Sequence, residues 1–227
     1  MYGLPFGCLS LVLLLGLIFL IPLFLANAVM TALAKLGLSP FMSIVVAASI
    51  FIGGLVNIPV KRIERVGPHD YFPFGISQFG RFWPGRIAHR PYTVIAVNVG
   101  GCLIPCLLVL YELSQISAIG ARMLALTALA AGVNILICYR LARPVRNVGI
   151  ALPALIPALA AAASALVLAP DHAPPVAFTA GVLGPVVGAD LLHLKDVTEV
   201  DTGIASIGGA GTFDGIVLSG LIATLLA

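Results

Sequence analysis

Charged residues are scarce in this chain of 227 residues: only 9% are Asp, Glu, Lys or Arg, whereas 60% are hydrophobic. A soluble domain carries roughly 25% charged residues and could not bury so much apolar surface. The scarcity of charge therefore excludes an ordinary water-soluble protein. The apolar runs are also continuous, which excludes a transmembrane barrel because barrel strands alternate apolar and polar residues.

Metal-binding and disulfide motifs are equally sparse. The four cysteines all stand in apolar stretches, and Cys102 and Cys106 have no His or second Cys pair beside them. We interpret the cysteines as packing residues and expect no disulfide framework, metal or cofactor. No His-Glu-x-x-His sequence occurs, which excludes the intramembrane metalloproteases that depend on it.

The long apolar runs predict an all-α membrane protein, a polytopic bundle of about seven transmembrane helices. About twenty apolar residues are needed to cross the hydrocarbon layer. We expect one domain over residues 1–227 and an uncleaved first span, because Met1–Gly7 lacks the Lys or Arg of a signal peptide. The predicted spans lie near 8–33, 40–60, 94–112, 118–138, 150–169, 176–194 and 204–226.

Lysine and arginine are distributed unevenly between the two ends of these spans. Ten of the twelve lie in connections on one side, and only Lys35 and Arg122 lie on the other. The positive-inside rule then predicts a cytoplasmic N-terminus and an external C-terminus. The expected location is the cytoplasmic (inner) membrane of a prokaryote.

One connection, residues 61–93, is long and combines basic residues with aromatic ones such as Phe82 and Trp83. Aromatic rings beside arginines are typical of the headgroup region of a membrane. We predict a cytoplasmic interfacial segment whose partner is the lipid bilayer rather than nucleic acid. A lid over a site that opens to the cytoplasm is the alternative interpretation.

Two acidic residues lie within predicted spans, whereas the other seven lie in loops or near span ends. Asp190 belongs to GPVVGADLLHL in span six and Asp214 to GGAGTFDGI in span seven. Because a carboxylate in a bilayer is costly and usually faces a cavity, the two predict a shared catalytic site. Glycines allow close approach of backbone there. The supporting glycines that we expect are Gly188, Gly208, Gly209, Gly211 and Gly215.

Both acidic segments carry a resemblance to known families. GADLLHL (188–194) and GGAGTFDGI (208–216) resemble recurring features of a prokaryotic multi-pass membrane protein family catalogued as a domain of unknown function. More weakly, an Asp in each of two consecutive spans, with Gly209-Ala210-Gly211 near the second, resembles the GxGD-type intramembrane aspartyl proteases (the presenilin, signal peptide peptidase and prepilin peptidase group). Here Asp214 follows Gly211 by three positions rather than one. This resemblance implies a hydrolase of transmembrane-helix substrates.

The same carboxylates also suit a small-solute or proton-coupled transporter. Asn57, Asn98 and Asn134 would then supply amide groups to a polar pocket, although asparagines in membrane helices also serve as hydrogen bonds between helices. His193 lies three residues after Asp190 and hence on the same helix face. It can join that pocket or lie at the interface as the span ends, and we predict no metal site.

Overall fold

The computed structural model describes residues 6–64, 92–145, 149–153, 155–195 and 204–227, and helices dominate these ranges. π-Helical turns extend two of the helices: Val99–Leu103 leads into α3, and Gly184–Leu191 continues α6. The α-helices are α1 Phe6–Lys35, α2 Pro40–Gly53, α3 Ile104–Ile119, α4 Ala121–Leu141, α5 Leu155–Leu168, α6 Ala173–Leu183 and α7 Gly215–Leu226.

Four helical segments are long and apolar enough to cross a membrane. The other three helices, α2, α5 and α7, are apolar but contain only 14, 14 and 12 residues. At 1.5 Å per residue they are about 18 to 21 Å long, short of a hydrocarbon layer of roughly 30 Å. The four long segments are Leu14–Lys35, Val99–Ile119, Ala121–Leu141 and Pro170–Leu191.

Short β-strands correct the all-α prediction. β1 Asn57–Glu64 pairs antiparallel with β2 Tyr92–Asn98, and β2 pairs in parallel with β5 Ile204–Ile207, so the order is β1-β2-β5. β3 Arg143–Val145 and β4 Gly149–Ala151 form a separate antiparallel pair. The strands of the three-stranded sheet occupy the end of predicted span two and the beginnings of predicted spans three and seven.

The helix α2 shows why one predicted span is shorter than expected. The Ser39 side chain caps α2 by accepting a hydrogen bond from the Met42 backbone N–H at 3.3 Å, and Pro40 occupies the first turn, where no N–H is needed. The helix ends at Gly53, and the chain enters β1 at Asn57. The predicted helical span 40–60 is therefore a helix followed by a strand.

The central helix of the bundle is α6, which contacts α3, α4, α5 and α7. Small residues allow it to lie very close to α7. A Cβ atom added to Gly181 would lie 2.8 Å from the Ser219 carbonyl oxygen, and one added to Gly220 would lie 2.6 Å from Val182 Cγ2. Close packing through small residues is the usual way in which membrane helices associate.

The predicted interfacial segment 61–93 lies mostly outside the described residues. The structure describes residues 61–64, which belong to β1, and residues 92–93, which belong to β2.

Candidate functional site

Asp214 lies at the N-terminus of α7 rather than within a helix. One carboxylate oxygen accepts a hydrogen bond from the Ile216 backbone N–H at 3.0 Å, and the other accepts one from the Ala210 N–H at 3.2 Å. Asp214 thus caps α7 and also ties that helix to the turn before it. The carboxylate is held by backbone on both sides, which fixes its position.

Asp190 lies on the π-helical continuation of α6. This stretch, Gly184–Leu191, contains Pro185, which has no backbone N–H for an α-helical hydrogen bond. A π-helical turn widens the helix locally and is frequently found at functional sites. Asp190 is half-buried.

One cavity of about 400 Å³ contains both carboxylates in its wall. β5 and the turn that follows it, residues 204–210, form one side, and Gly149, Ile150 and Leu152 contribute from the segment around β4. The structure therefore brings Asp190 and Asp214, which the sequence predicts to share a site, to the same cavity.

The glycines expected to support the site fall into two groups. Gly208, Gly209 and Gly215 line the cavity. Gly211 packs against Gly54, where an added Cβ would lie 3.1 Å from the Gly54 Cα, and Gly188 packs on α4, where an added Cβ would lie 2.3 Å from the Ile135 carbonyl oxygen. The first group shapes the cavity, and the second holds its walls against neighbouring helices.

A contact between Gly101 and Gly208 was not predicted from the sequence. A Cβ on Gly101 would lie 2.0 Å from the Gly208 carbonyl oxygen, and Gly208 itself has a φ of +72°. Gly100 is equally close to the Ile50 carbonyl oxygen, at 2.0 Å for an added Cβ. The pair Gly100-Gly101 in an apolar run was the available signal, since such a pair marks close backbone contact.

Asn57 and Asn98 connect the sheet to the helices. The Asn98 amide donates to the Gly54 carbonyl oxygen at 2.8 Å and to Asn57 Oδ1 at 3.0 Å, and its own Oδ1 accepts from the Gly101 N–H at 2.7 Å. Ser206, which lines the cavity, donates its hydroxyl to Asn57 Oδ1 at 2.6 Å. These side chains therefore join β1, β2 and β5 behind the cavity wall.

Asn134 and His193 fasten the α6 region to α4. The Asn134 amide donates to the Ala180 carbonyl oxygen at 2.8 Å. His193 Nδ1 lies 3.1 Å from the Gly188 carbonyl oxygen, and its ring lies 4.9 Å from the Tyr139 ring, centre to centre. Neither residue belongs to the described lining of the cavity, and the same holds for Asn57 and Asn98.

Metal-binding groups are not clustered in the described part of the chain. Within those ranges no three His, Cys, Asp or Glu side chains lie close enough together to hold a metal ion. Cys102, Cys106 and Cys138 are free thiols. The cavity therefore offers two carboxylates, a serine hydroxyl and backbone groups for chemistry.

Most of the residues described above belong to a region that matches a known protein family. A family model matches residues 51–226. The chain belongs to the family described as "Protein of unknown function (DUF1614)". No curated protein and no solved structure matches the chain. Both carboxylates, the five described strands and the described lining of the cavity lie within the DUF1614 match, whereas α1 lies before it.

A further acidic residue in the DUF1614 region lies deeper than expected. The sequence places Glu112 near the external end of a span that ends at residue 112, but α3 continues to Ile119. Glu112 is only 2% exposed, and its Oε1 atom has no hydrogen-bond partner. Since a buried polar atom without a partner is costly, Glu112 is a third unusual carboxyl group beside Asp190 and Asp214, and its burial was not predicted from the sequence.

Proposed function

We propose that this protein is an intramembrane aspartyl hydrolase that cleaves peptide bonds with Asp190 and Asp214. The observation that carries the proposal is that both carboxylates line one cavity, although they come from different helical segments. Two carboxyl groups that share one proton supply a general base and a general acid together. The arrangement thus fits hydrolysis without a further catalytic group.

The proposed reaction uses the pair as one unit. The ionised carboxylate takes a proton from water while the water oxygen forms a bond to the peptide carbonyl carbon. The protonated carboxyl donates its proton to the carbonyl oxygen, which gives a neutral gem-diol. The C–N bond then breaks as the carboxyl that took the proton from water gives it to the amine nitrogen and the other carboxylate takes a proton from the gem-diol. The products are a carboxylic acid and an amine, and the pair again shares one proton. Because the two groups titrate jointly, the roles belong to the pair.

β5 supports a peptide substrate. In the described residues β5 is the last strand in the order β1-β2-β5, and all four of its residues line the cavity. The outer edge of a strand offers backbone N–H and C=O groups to an extended peptide. A substrate segment beside β5 would present its peptide carbonyls to the carboxylates. A transmembrane-helix substrate therefore has to unwind locally before cleavage.

The proposal includes a membrane topology. Seven crossings with a cytoplasmic N-terminus and an external C-terminus place Lys61, Arg143 and Lys195 on the cytoplasmic side. The cavity then opens toward the cytoplasm of a prokaryotic cell. Lys35 supports this arrangement, because its ammonium group donates to the Leu225 carbonyl oxygen at 2.9 Å, at the end of α7 that the topology places outside. The lipid bilayer and transmembrane-helix substrates are the partners.

The transporter hypothesis uses the same carboxylates and is less well supported. It requires polar groups along a pathway, but the Asn98 and Asn134 amides are already bonded to backbone carbonyl oxygens of α2 and α6 regions. These hydrogen bonds hold helices together. Proton uptake into liposomes that requires Asp190 and occurs without any cleaved peptide would favour transport.

The test is cleavage of a transmembrane-helix reporter by the purified chain in lipid vesicles. Asp190→Asn and Asp214→Asn should each abolish cleavage. Asn caps a helix about as well as Asp, so Asp214→Asn keeps the hydrogen bond from the Ile216 N–H and with it the start of α7, whereas its NH2 group cannot accept from the Ala210 N–H. Asp171→Asn, in the exposed turn between α5 and α6, is the matched control and should cleave normally. Cleavage by a folded Asp214→Asn variant would refute the proposal.

A further inference from the structure

A second cavity contains two lysines. It has a volume of about 390 Å³ and is lined by Lys61, Ile63, Ile95, Leu194 and Lys195. We call it the lysine cavity. Lys61 lies on β1, and Lys195 lies just after the π-helical stretch that contains Asp190. Two basic residues from different elements therefore line one space, and the other three described lining residues are apolar.

The lysine cavity adjoins the cavity of the two carboxylates. Ile95 and Leu194 line both cavities. In the sheet, Lys61 pairs with Ile95 and Ile95 pairs with Ala205, so the three residues form one row across the strands. Side chains in one row point to the same face of a sheet. The side chains of Lys61 and Ile95 therefore lie on the same face of the sheet, and on that face Ile95 lines both cavities.

We propose that the lysine cavity binds an acidic side chain of the substrate and so determines which bond is cleaved. This inference rests on the proposed hydrolase function. A substrate segment that runs along the edge of β5 to the carboxylates can turn there and cross the face of the sheet over Ile95, and this path leads into the lysine cavity. Ammonium groups that line a partly apolar space form strong charge-assisted hydrogen bonds with a carboxylate. The acidic residue cannot be at the cleaved bond itself, where Asp190 and Asp214 would repel it.

The geometry of the sheet predicts how many residues separate that acidic residue from the cleaved bond. Neighbouring strands lie about 4.8 Å apart, so the row from Ala205 to Lys61 spans about 10 Å, which corresponds to roughly three residues of extended peptide. The substrate class is thus a membrane helix with Asp or Glu about three residues from the cleaved bond, on its cytoplasmic side.

An anionic lipid headgroup has related chemistry but fits the geometry less well. A lipid phosphate would occupy the lysine cavity without using its connection to the carboxylate cavity through Ile95 and Leu194. A substrate uses both spaces at once, and we therefore favour it. The lipid becomes one outcome of the test.

The experiment uses the full chain in phosphatidylcholine vesicles and reporter helices in which Glu, Gln or Lys is placed one position at a time on the cytoplasmic side. We expect kcat/KM to be about tenfold higher for Glu than for Gln near the third position and to fall with Lys. The double variant Lys61→Glu/Lys195→Glu should reverse this preference. The charge-matched control is Arg122→Glu/Arg140→Glu, which reverses two exposed residues at the two ends of α4 and should keep the preference.

A second measurement separates this inference from the proposed hydrolase function. Binding of the Glu and Gln reporters to the Asp190→Asn variant should differ by about tenfold in favour of Glu, and the preference should reverse when Lys61 and Lys195 are also replaced by Glu. Cleavage without any charge preference overturns the lysine cavity proposal and leaves the hydrolase. Tighter Glu binding without cleavage by the unmodified chain overturns the hydrolase instead. A preference that requires anionic lipid in the vesicles assigns the lysines to a headgroup and overturns substrate recognition.

Discussion

Gly101→Ala tests whether the close contact behind the cavity positions Asp214. The new methyl carbon would lie 2.0 Å from the Gly208 carbonyl oxygen, and real Cβ contacts are essentially never shorter than 3.0 Å. The backbone at Gly208 must therefore move by about 1 Å. Overpacking of this kind costs about 1 to 3 kcal/mol, and a 1 Å displacement near reacting groups costs roughly a hundredfold in rate.

The displacement reaches the candidate site because Gly208 begins the turn that ends at Asp214. Gly208, Gly209 and Asp214 all line the cavity, and the Ala210 N–H in this turn donates to Asp214. The Gly101 N–H that donates to Asn98 is unchanged by the substitution. We expect kcat/KM for the reporter helix to fall about a hundredfold and the thermal midpoint to decrease.

Gly132→Ala is the matched control. Gly132 lies within α4, and an added Cβ there meets no atom within 4 Å. Alanine is about 1 kcal/mol better than glycine inside a helix, so this variant should keep full activity and unfold at an equal or higher temperature. If Gly101→Ala behaved like Gly132→Ala in both assays, the positioning role of the Gly101–Gly208 contact would be refuted.

Three other substitutions test the packing of the helices. Glu112→Leu should increase the free energy of unfolding by about 1 kcal/mol or more, and so raise the thermal midpoint, because it removes a buried carboxyl oxygen that has no partner. An unchanged or lower midpoint would contradict this. Asn134→Ala should cost at most about 1 kcal/mol, because loss of the hydrogen bond to the Ala180 carbonyl is partly offset by removal of a buried amide oxygen that has no partner; a higher midpoint would show that the oxygen without a partner outweighs the bond. Gly188→Ala should cost about 1 to 3 kcal/mol, since its Cβ would lie 2.3 Å from the Ile135 carbonyl oxygen, whereas a stable variant would mean that α4 and the π-helical stretch can separate freely.

The helices could be predicted from the sequence, but the strands could not. Long apolar runs identify helices by length alone. β2 and β5 are apolar runs of seven and four residues, YTVIAVN and IASI, and a short apolar run is equally compatible with a buried strand or with part of a helix. The partner of β5 lies about a hundred residues earlier in the chain, so nothing local distinguishes the two.

The two aspartates could be selected from the sequence because charge is rare in it, but the way in which each is held could not be. A signal for Asp214 was present: an Asp directly before an apolar run is typical of a helix N-cap. The prediction missed this N-cap because it started the helix near residue 204, within a long apolar stretch, whereas α7 begins at Gly215. Asp190 depends on a π-helical turn, and π-helical turns have no reliable sequence pattern.

The short helices explain how a membrane protein of this kind can contain a water-accessible cavity. α2 ends at Gly53 and α7 begins at Gly215, and each helix is about 10 Å shorter than the hydrocarbon layer. In the proposed topology, β1, β5 and the turn before α7 continue the crossings made by α2 and α7. Non-helical backbone is tolerated at membrane depth only where protein or water surrounds it. The chain therefore has to enclose the sheet and the turn, and the space that remains beside β5 is where Asp190 and Asp214 lie.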